Sequence, residues 1–135
     1  MNGSLPMFVY GTLRRGGHLE LAYFSDDVAR LPAILPGHAL HYARRHHAFP
    51  YAVPCVGPER EQLSSIVGEL VFADEADIRN ALRMEINAGY IARRVEVLVE
   101  AEGRAGRSMT VAAVAAIWPD RKVGARIASG DWMNR

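Results

Sequence analysis

A glutamate stands where its helix pattern asks for an apolar residue. In "ADEADIRNALRMEINAGY", Ile78, Ala81 and Leu82 occupy positions i, i+3 and i+4 of one helical face, and position i+7 is Glu85. Arg79 and Arg83 fall on other faces, where solvated residues belong. At a fraying helix end Glu85 would be an ordinary exposed carboxylate. Pointed into a cavity against the core, it would be desolvated, and its pKa would rise. A carboxyl tuned upward suits general acid/base work near neutral pH. The pattern alone accommodates both readings.

A second stretch carries chemistry in its backbone. In "MFVYGTLRRGG", Met7 to Gly17, an apolar strand breaks at Gly11 and runs into a polar, glycine-containing turn. Either this is a plain surface turn, or the successive N–H groups of Gly11, Thr12 and Leu13 converge as an anion-holding nest. It is not a Walker A loop, which needs a lysine at a set spacing, nor a dinucleotide fingerprint, which needs a glycine triplet. Arg14 and Arg15, like the other arginine pairs 44–45 and 93–94, read as solvated surface charge.

Other reactive side chains carry less. His38 and His41, three apart on an extended segment, project to opposite faces, and His46 and His47 diverge as neighbours. With no HExxH helix either, no metal site is expected. Cys55, the only cysteine, sits in a proline-rich loop without an assignable histidine partner and reads as an inert thiol. It also excludes an internal disulfide and fits a reducing compartment. Tyr90 follows the helix at no defined spacing from Glu85 and is left outside the site.

The elements that must position these groups are short. Met7–Tyr10 is β-compatible. His18–Phe24 fits two helical turns. Val28–Leu35 and His38–Tyr42 are extended around Pro36-Gly37, and residues 44–60 read as loop. Ser64–Phe72 is a strand whose inner glycine signals a bulge or a close backbone approach. Asp74 is the expected N-cap of the glutamate-bearing helix, and Asn87 and Gly89 its stop. Arg93–Ala101 and Met109–Trp118 form two further strands that can pair as a hairpin. Strands with interspersed helices, rather than a βαβα series, indicate an α+β fold.

Composition narrows the classes. The 135 residues suit one domain, 1–135, with enough chain for a core without disulfides. A net charge of +1 gives no pull toward nucleic acid or an acidic membrane surface. No apolar run approaches the roughly 20 residues that span a bilayer. The start of the chain lacks a basic segment followed by a long apolar one, so no signal peptide is expected. A soluble, cytoplasmic protein is expected.

Four segments, taken in order, resemble the γ-glutamyl cyclotransferase-like proteins, a superfamily of γ-glutamylamine cyclotransferases and avirulence-induced-protein-like relatives. "FVYGTLRRG" is similar to the family's opening strand and loop. "IVGELVF" resembles its central glycine-acidic strand. "MEINAGYIARRVEV" resembles its helix-borne glutamate and following strand, and "IASGDW" its closing sequence. The resemblance implies a small mixed β-barrel with flanking helices and a cavity at its mouth. It implies that the backbone of Tyr10, Gly11, Thr12 and Leu13 cradles a glutamyl group, that Glu85 is the acid/base residue, and that no cofactor is needed. The implied reaction cyclises the γ-glutamyl group of a small-molecule γ-glutamyl amine or amide to 5-oxoproline and releases the amine. Glutathione, γ-glutamyl amino acids, ε-(γ-glutamyl)-lysine and γ-glutamyl-protected intermediates all fit that chemistry. Oligomeric state stays open. Leu82 stands where members commonly carry aspartate, Ile86 where they carry glycine, and alanines of the last strand where some carry a site tyrosine. The departures at Leu82 and Ile86 support an alternative: a binding protein on the same fold without catalysis.

Overall fold

The computed structural model describes residues 4–17, 19–44, 49–55, 64–100, 108–120 and 122–135. Its strands are β1 (Met7–Val9), β2 (Ala29–Pro36), β3 (His38–Tyr42), β4 (Pro50–Pro54), β5 (Ser65–Phe72), β6 (Ile91–Glu100) and β7 (Ser108–Ile117). Two helices, α1 (Glu20–Tyr23) and α2 (Glu75–Asn87), and a closing 3₁₀ turn, Trp132–Asn134, flank them.

Five strands close into a barrel in the order β1-β5-β2-β6-β7, and β3 and β4 form a separate two-stranded sheet. The barrel is mixed. Its pairings are antiparallel except where β7 returns to β1 in parallel, Met7 facing Val114. Closure removes the open edges that a small sheet would otherwise leave for aggregation. This is the α+β barrel with flanking helices that the resemblance implied.

Both faces of β1 are packed. Phe8, with Tyr10 just beyond the strand, joins Leu35, Ile66, Leu70, Val97 and Ile117 in the barrel core. Met7 and Val9 point the other way, onto Ile78 and Ala81 of α2, Val71 and Phe24. A strand buried on both faces reads as a continuous apolar run, as "MFVY" does. Gly68 lets β5 lie close to β1: a Cβ there would stand 2.3 Å from the carbonyl oxygen of Val9. The β2–β5 register is continuous from Ala29↔Phe72 to Pro36↔Ser65, so this glycine marks close approach and not a bulge.

Some boundaries differ from the sequence reading. α1 is one turn, not two; it is followed by an extended Phe24, and His18 lies outside the described residues. The segment read as loop contains β4, paired with β3 from His38↔Pro54 to Tyr42↔Pro50. Prolines at both ends of β4 conceal it in the sequence, since proline is confined to strand ends and edges. Asp74 occupies the N-cap of α2 without a side-chain cap bond, and Gly89 ends that helix at φ +107°. β6 and β7 pair as an antiparallel hairpin. Among the described residues no helix is long and apolar enough to cross a membrane.

Candidate active site

A cavity of about 490 Å³ opens between β1, α2 and β4, and Tyr10, Gly11, Thr12, Leu13 and Glu85 all line it. These are the five residues singled out from the sequence.

Helix α2 delivers Glu85 as its pattern implies. Ile78 and Ala81 are buried against β1, which turns the half-buried Glu85 one turn later over the cavity. Burial pushes its carboxyl up from the ordinary 4.5 to about 7. Among the described residues no hydrogen-bond donor offsets that burial. The carboxyl is thus poised to exchange a proton near neutral pH.

The loop after β1 is shaped by its carbonyls. Gly11 O accepts from Arg14 N at 3.0 Å, and Thr12 O from Leu19 N at 3.0 Å. Arg30 Nη1 donates to Leu13 O at 3.2 Å. The N–H groups of Gly11, Thr12 and Leu13 have no acceptor among the described residues, although all three residues are buried. Buried backbone donors are rarely left unpaired. Three in succession along a cavity wall suit an anion. Gly11 is required here by contact, not by φ: a Cβ would stand 2.6 Å from Pro50 Cγ across the cavity wall.

A charged cluster clamps this loop from behind. Arg30 pairs with Glu69 at 2.7 Å and with Glu20 at 3.1 Å. Arg14 reaches Asp131 at 2.5 Å. Glu69 also accepts from Arg15 N at 3.0 Å, and Glu20 from Gly16 N at 3.1 Å. The Arg14 side chain is only 12% exposed, which corrects the reading of Arg14 as solvated surface charge. Its partner, Asp131, gives the closing "IASGDW" segment a role in holding the loop. Burial of so many charges is tolerable because they are paired.

Two tyrosines complete the cavity. Tyr10 Oη donates to the carbonyl of Ala116, and Tyr90 Oη to that of Pro50 at 2.7 Å. Both phenols are raised, Tyr10 by burial and then by Tyr90 and Glu85, Tyr90 by burial and then by Glu85 and Tyr51. Each spends its proton on a carbonyl; the Tyr10 oxygen also meets the backbone of Ala52, which lowers its pKa in part, and the Tyr90 oxygen is left to accept. Tyr90 was left outside the site in the sequence reading, yet it is tied to Glu85 by its own N–H, 3.1 Å from Glu85 O. The "NAGY" end of the helix is the signal that could have found it. The cavity is thus lined by the Gly11–Leu13 backbone together with Glu85, Tyr10 and Tyr90.

The remaining candidates lie elsewhere. Leu82 and Ile86, the departures within the helix, line a different groove beside Ser4 and Leu5. Ala116 supplies its carbonyl to Tyr10, so an alanine-bearing β7 still helps build the site. His38 and His41 bond the carbonyls of Pro36 and Gly124 at 2.9 and 3.0 Å; His46 and His47 lie outside the described residues. No metal-binding cluster occurs among the described residues. Cys55 is half-buried just after β4.

The family model for gamma-glutamyl cyclotransferase, AIG2-like proteins matches residues 7–134. The chain belongs to this family. No curated protein shows significant sequence similarity. Among solved structures, PH0828 from Pyrococcus horikoshii is 26% identical with a TM-score of 0.67, over 97% of this chain and 92% of that one. YkqA from Bacillus subtilis is 24% identical with a TM-score of 0.69, over 98% of this chain and 40% of that one. An AIG2-like protein from Mus musculus is 19% identical with a TM-score of 0.62, over 91% of this chain and 81% of that one. The gamma-glutamyl cyclotransferase, AIG2-like fold is therefore shared across distant sequences.

Proposed function

We propose that the protein cyclises the γ-glutamyl group of a γ-glutamyl amine or amide to 5-oxoproline and releases the free amine. One observation carries this reading: Glu85, with its carboxyl pushed up to about 7, shares a cavity with Gly11, Thr12 and Leu13, whose N–H groups have no acceptor among the described residues. Family membership suggests the same reaction class.

The glutamyl α-carboxylate rests on the three N–H groups. The α-ammonium lies toward Glu85 and the oxygen of Tyr90. Glu85 as carboxylate takes one proton from the ammonium. The freed amine attacks the γ-carbonyl carbon of the same glutamyl group, and a new C–N bond closes the five-membered ring. The tetrahedral centre collapses as the old amide C–N bond breaks. The α-nitrogen sheds a second proton on becoming the lactam nitrogen. Glu85 relays both protons to the departing nitrogen, and the partner leaves as an ammonium. No redox step and no external nucleophile enter this balance.

The catalytic demand on the protein is modest. Holding nucleophile and carbonyl in one folded-back pose exploits effective molarities of roughly 10⁵–10⁸ M. Proton transfer through a matched carboxyl adds about 10²–10⁴-fold. A binding protein without turnover would use the same nest. The helix departures that favour it, Leu82 and Ile86, border the other groove and not this cavity.

Purified protein incubated with a panel of γ-glutamyl amines and dipeptides should release 5-oxoproline and free amine in equal amounts, measured by mass spectrometry. Binding of these compounds without product would identify the non-catalytic alternative.

A further inference from the structure

A line of hydrogen bonds ties the loop over the cavity to a buried cation. Arg30, on β2 opposite Val71 of β5, does not line the cavity. Its side chain is only 5% exposed. Its Nη1 donates to Glu69 Oε1 at 2.7 Å and to Leu13 O at 3.2 Å. Leu13 O shares a peptide group with the N–H of Arg14, which donates to Gly11 O at 3.0 Å. Gly11 O shares the next peptide group with the N–H of Thr12. That N–H has no acceptor among the described residues, and the buried Thr12 lines the cavity.

Ion pairing alone does not account for the contact with Leu13. A cation between Glu20 and Glu69 would neutralise them without it. A guanidinium carries five N–H donors in a fixed fork, and here one of them meets a carbonyl whose peptide group leads back to the cavity. Each peptide group in this line has its oxygen toward Arg30 and its N–H toward Thr12. A cation polarises the peptide group that accepts from it, and hydrogen bonds in series strengthen one another by about 10–30% per bond.

We infer that Arg30 is a positioning residue that tunes the nest for negative charge: through the carbonyls of Leu13 and Gly11 it strengthens the Thr12 N–H as a donor to a carboxylate. This rests on the cyclotransferase reading, which puts the glutamyl α-carboxylate on the nest. That carboxylate keeps its charge throughout the cyclisation, so Arg30 serves ground state and transition state alike and acts on KM rather than kcat.

Two probes of one shape separate charge from fit: 5-oxoproline, which retains the carboxylate, and 5-oxoprolinamide, which is neutral. Removing Arg30 alone would leave two buried carboxylates short of a partner. Arg30→Met combined with Glu20→Gln keeps the net charge of the cluster and deletes the donor to Leu13 O. In calorimetric titrations the wild type should prefer 5-oxoproline, and the double variant should lose about tenfold of that preference, the scale of one hydrogen bond to a charged group. KM for a γ-glutamyl amine should rise by a similar factor with kcat unchanged. In the wild type itself, 5-oxoproline should move the Thr12 amide proton downfield by more than those of Gly11 and Leu13, as read by NMR. Equal losses for acid and amide, an unchanged preference in the folded variant, or a Thr12 shift no larger than its neighbours' would overturn the inference and leave the cyclotransferase reading intact. A wild type that neither binds 5-oxoproline nor releases it from γ-glutamyl amines would overturn the reading and the inference together.

Discussion

Glu85→Gln should make the protein more stable above neutral pH while disarming its chemistry. In the folded chain the Glu85 carboxyl titrates near 7 against an ordinary value of 4.5. Between those values the native state holds a proton that the unfolded chain has released. Folding stability therefore falls as pH rises through that window, and the full cost is present above about 7. The window spans about 2.5 pH units at about 1.36 kcal/mol each, an upper bound near 3.4 kcal/mol. Glu85 is only half-buried, so solvent screening reduces this to about 1–2 kcal/mol. Glutamine has the same shape and no charge to desolvate. Thermal melts of both proteins should coincide near pH 4.5 and separate by roughly 3–8 °C at pH 8, with the variant higher. A difference that does not change with pH, or a variant less stable at pH 8, would refute the claim that the cavity desolvates this carboxyl.

Other outcomes follow from the same geometry. The kcat/KM for 5-oxoproline formation should rise with pH through about 7 as the carboxylate form of Glu85 accumulates; a profile flat from pH 5 to 8 would exclude it as the base. Gly11→Ala sets a Cβ 2.6 Å from Pro50 Cγ, and should cost about 1–3 kcal/mol in urea unfolding as well as lowering turnover. Asp131→Ala leaves the Arg14 guanidinium without its 2.5 Å partner. It should destabilise by about 2–3 kcal/mol and raise KM, because the nest loses its clamp; unchanged stability and KM would remove Asp131 from that role.

The legible parts of the site were those written in local patterns. Glu85 showed itself because a helix face repeats every few residues, and a charged side chain in that stripe stands out against Ile78 and Ala81. β1 and its loop showed themselves through an apolar run broken at Gly11. Arg14 was misread because its partner is remote: it meets Asp131 more than a hundred residues along the chain, and no local spacing encodes that pairing; Arg15 is exposed, as the sequence reading had it. Tyr90 was left out for a related reason. Its place is set by how α2 ends and by the carbonyl of Pro50, which belongs to a strand concealed by its own prolines. The barrel itself came from resemblance; alternating apolar residues indicate strands but not the order in which β1, β5, β2, β6 and β7 close.

The central claim is that Glu85 moves the protons of cyclisation, and the direct test compares 5-oxoproline release by the wild-type protein and Glu85→Gln across the panel of γ-glutamyl amines and dipeptides at saturation. The account predicts release by the wild type and a fall of about 10²–10⁴-fold in the variant, with its fold retained. Full turnover by Glu85→Gln would contradict it.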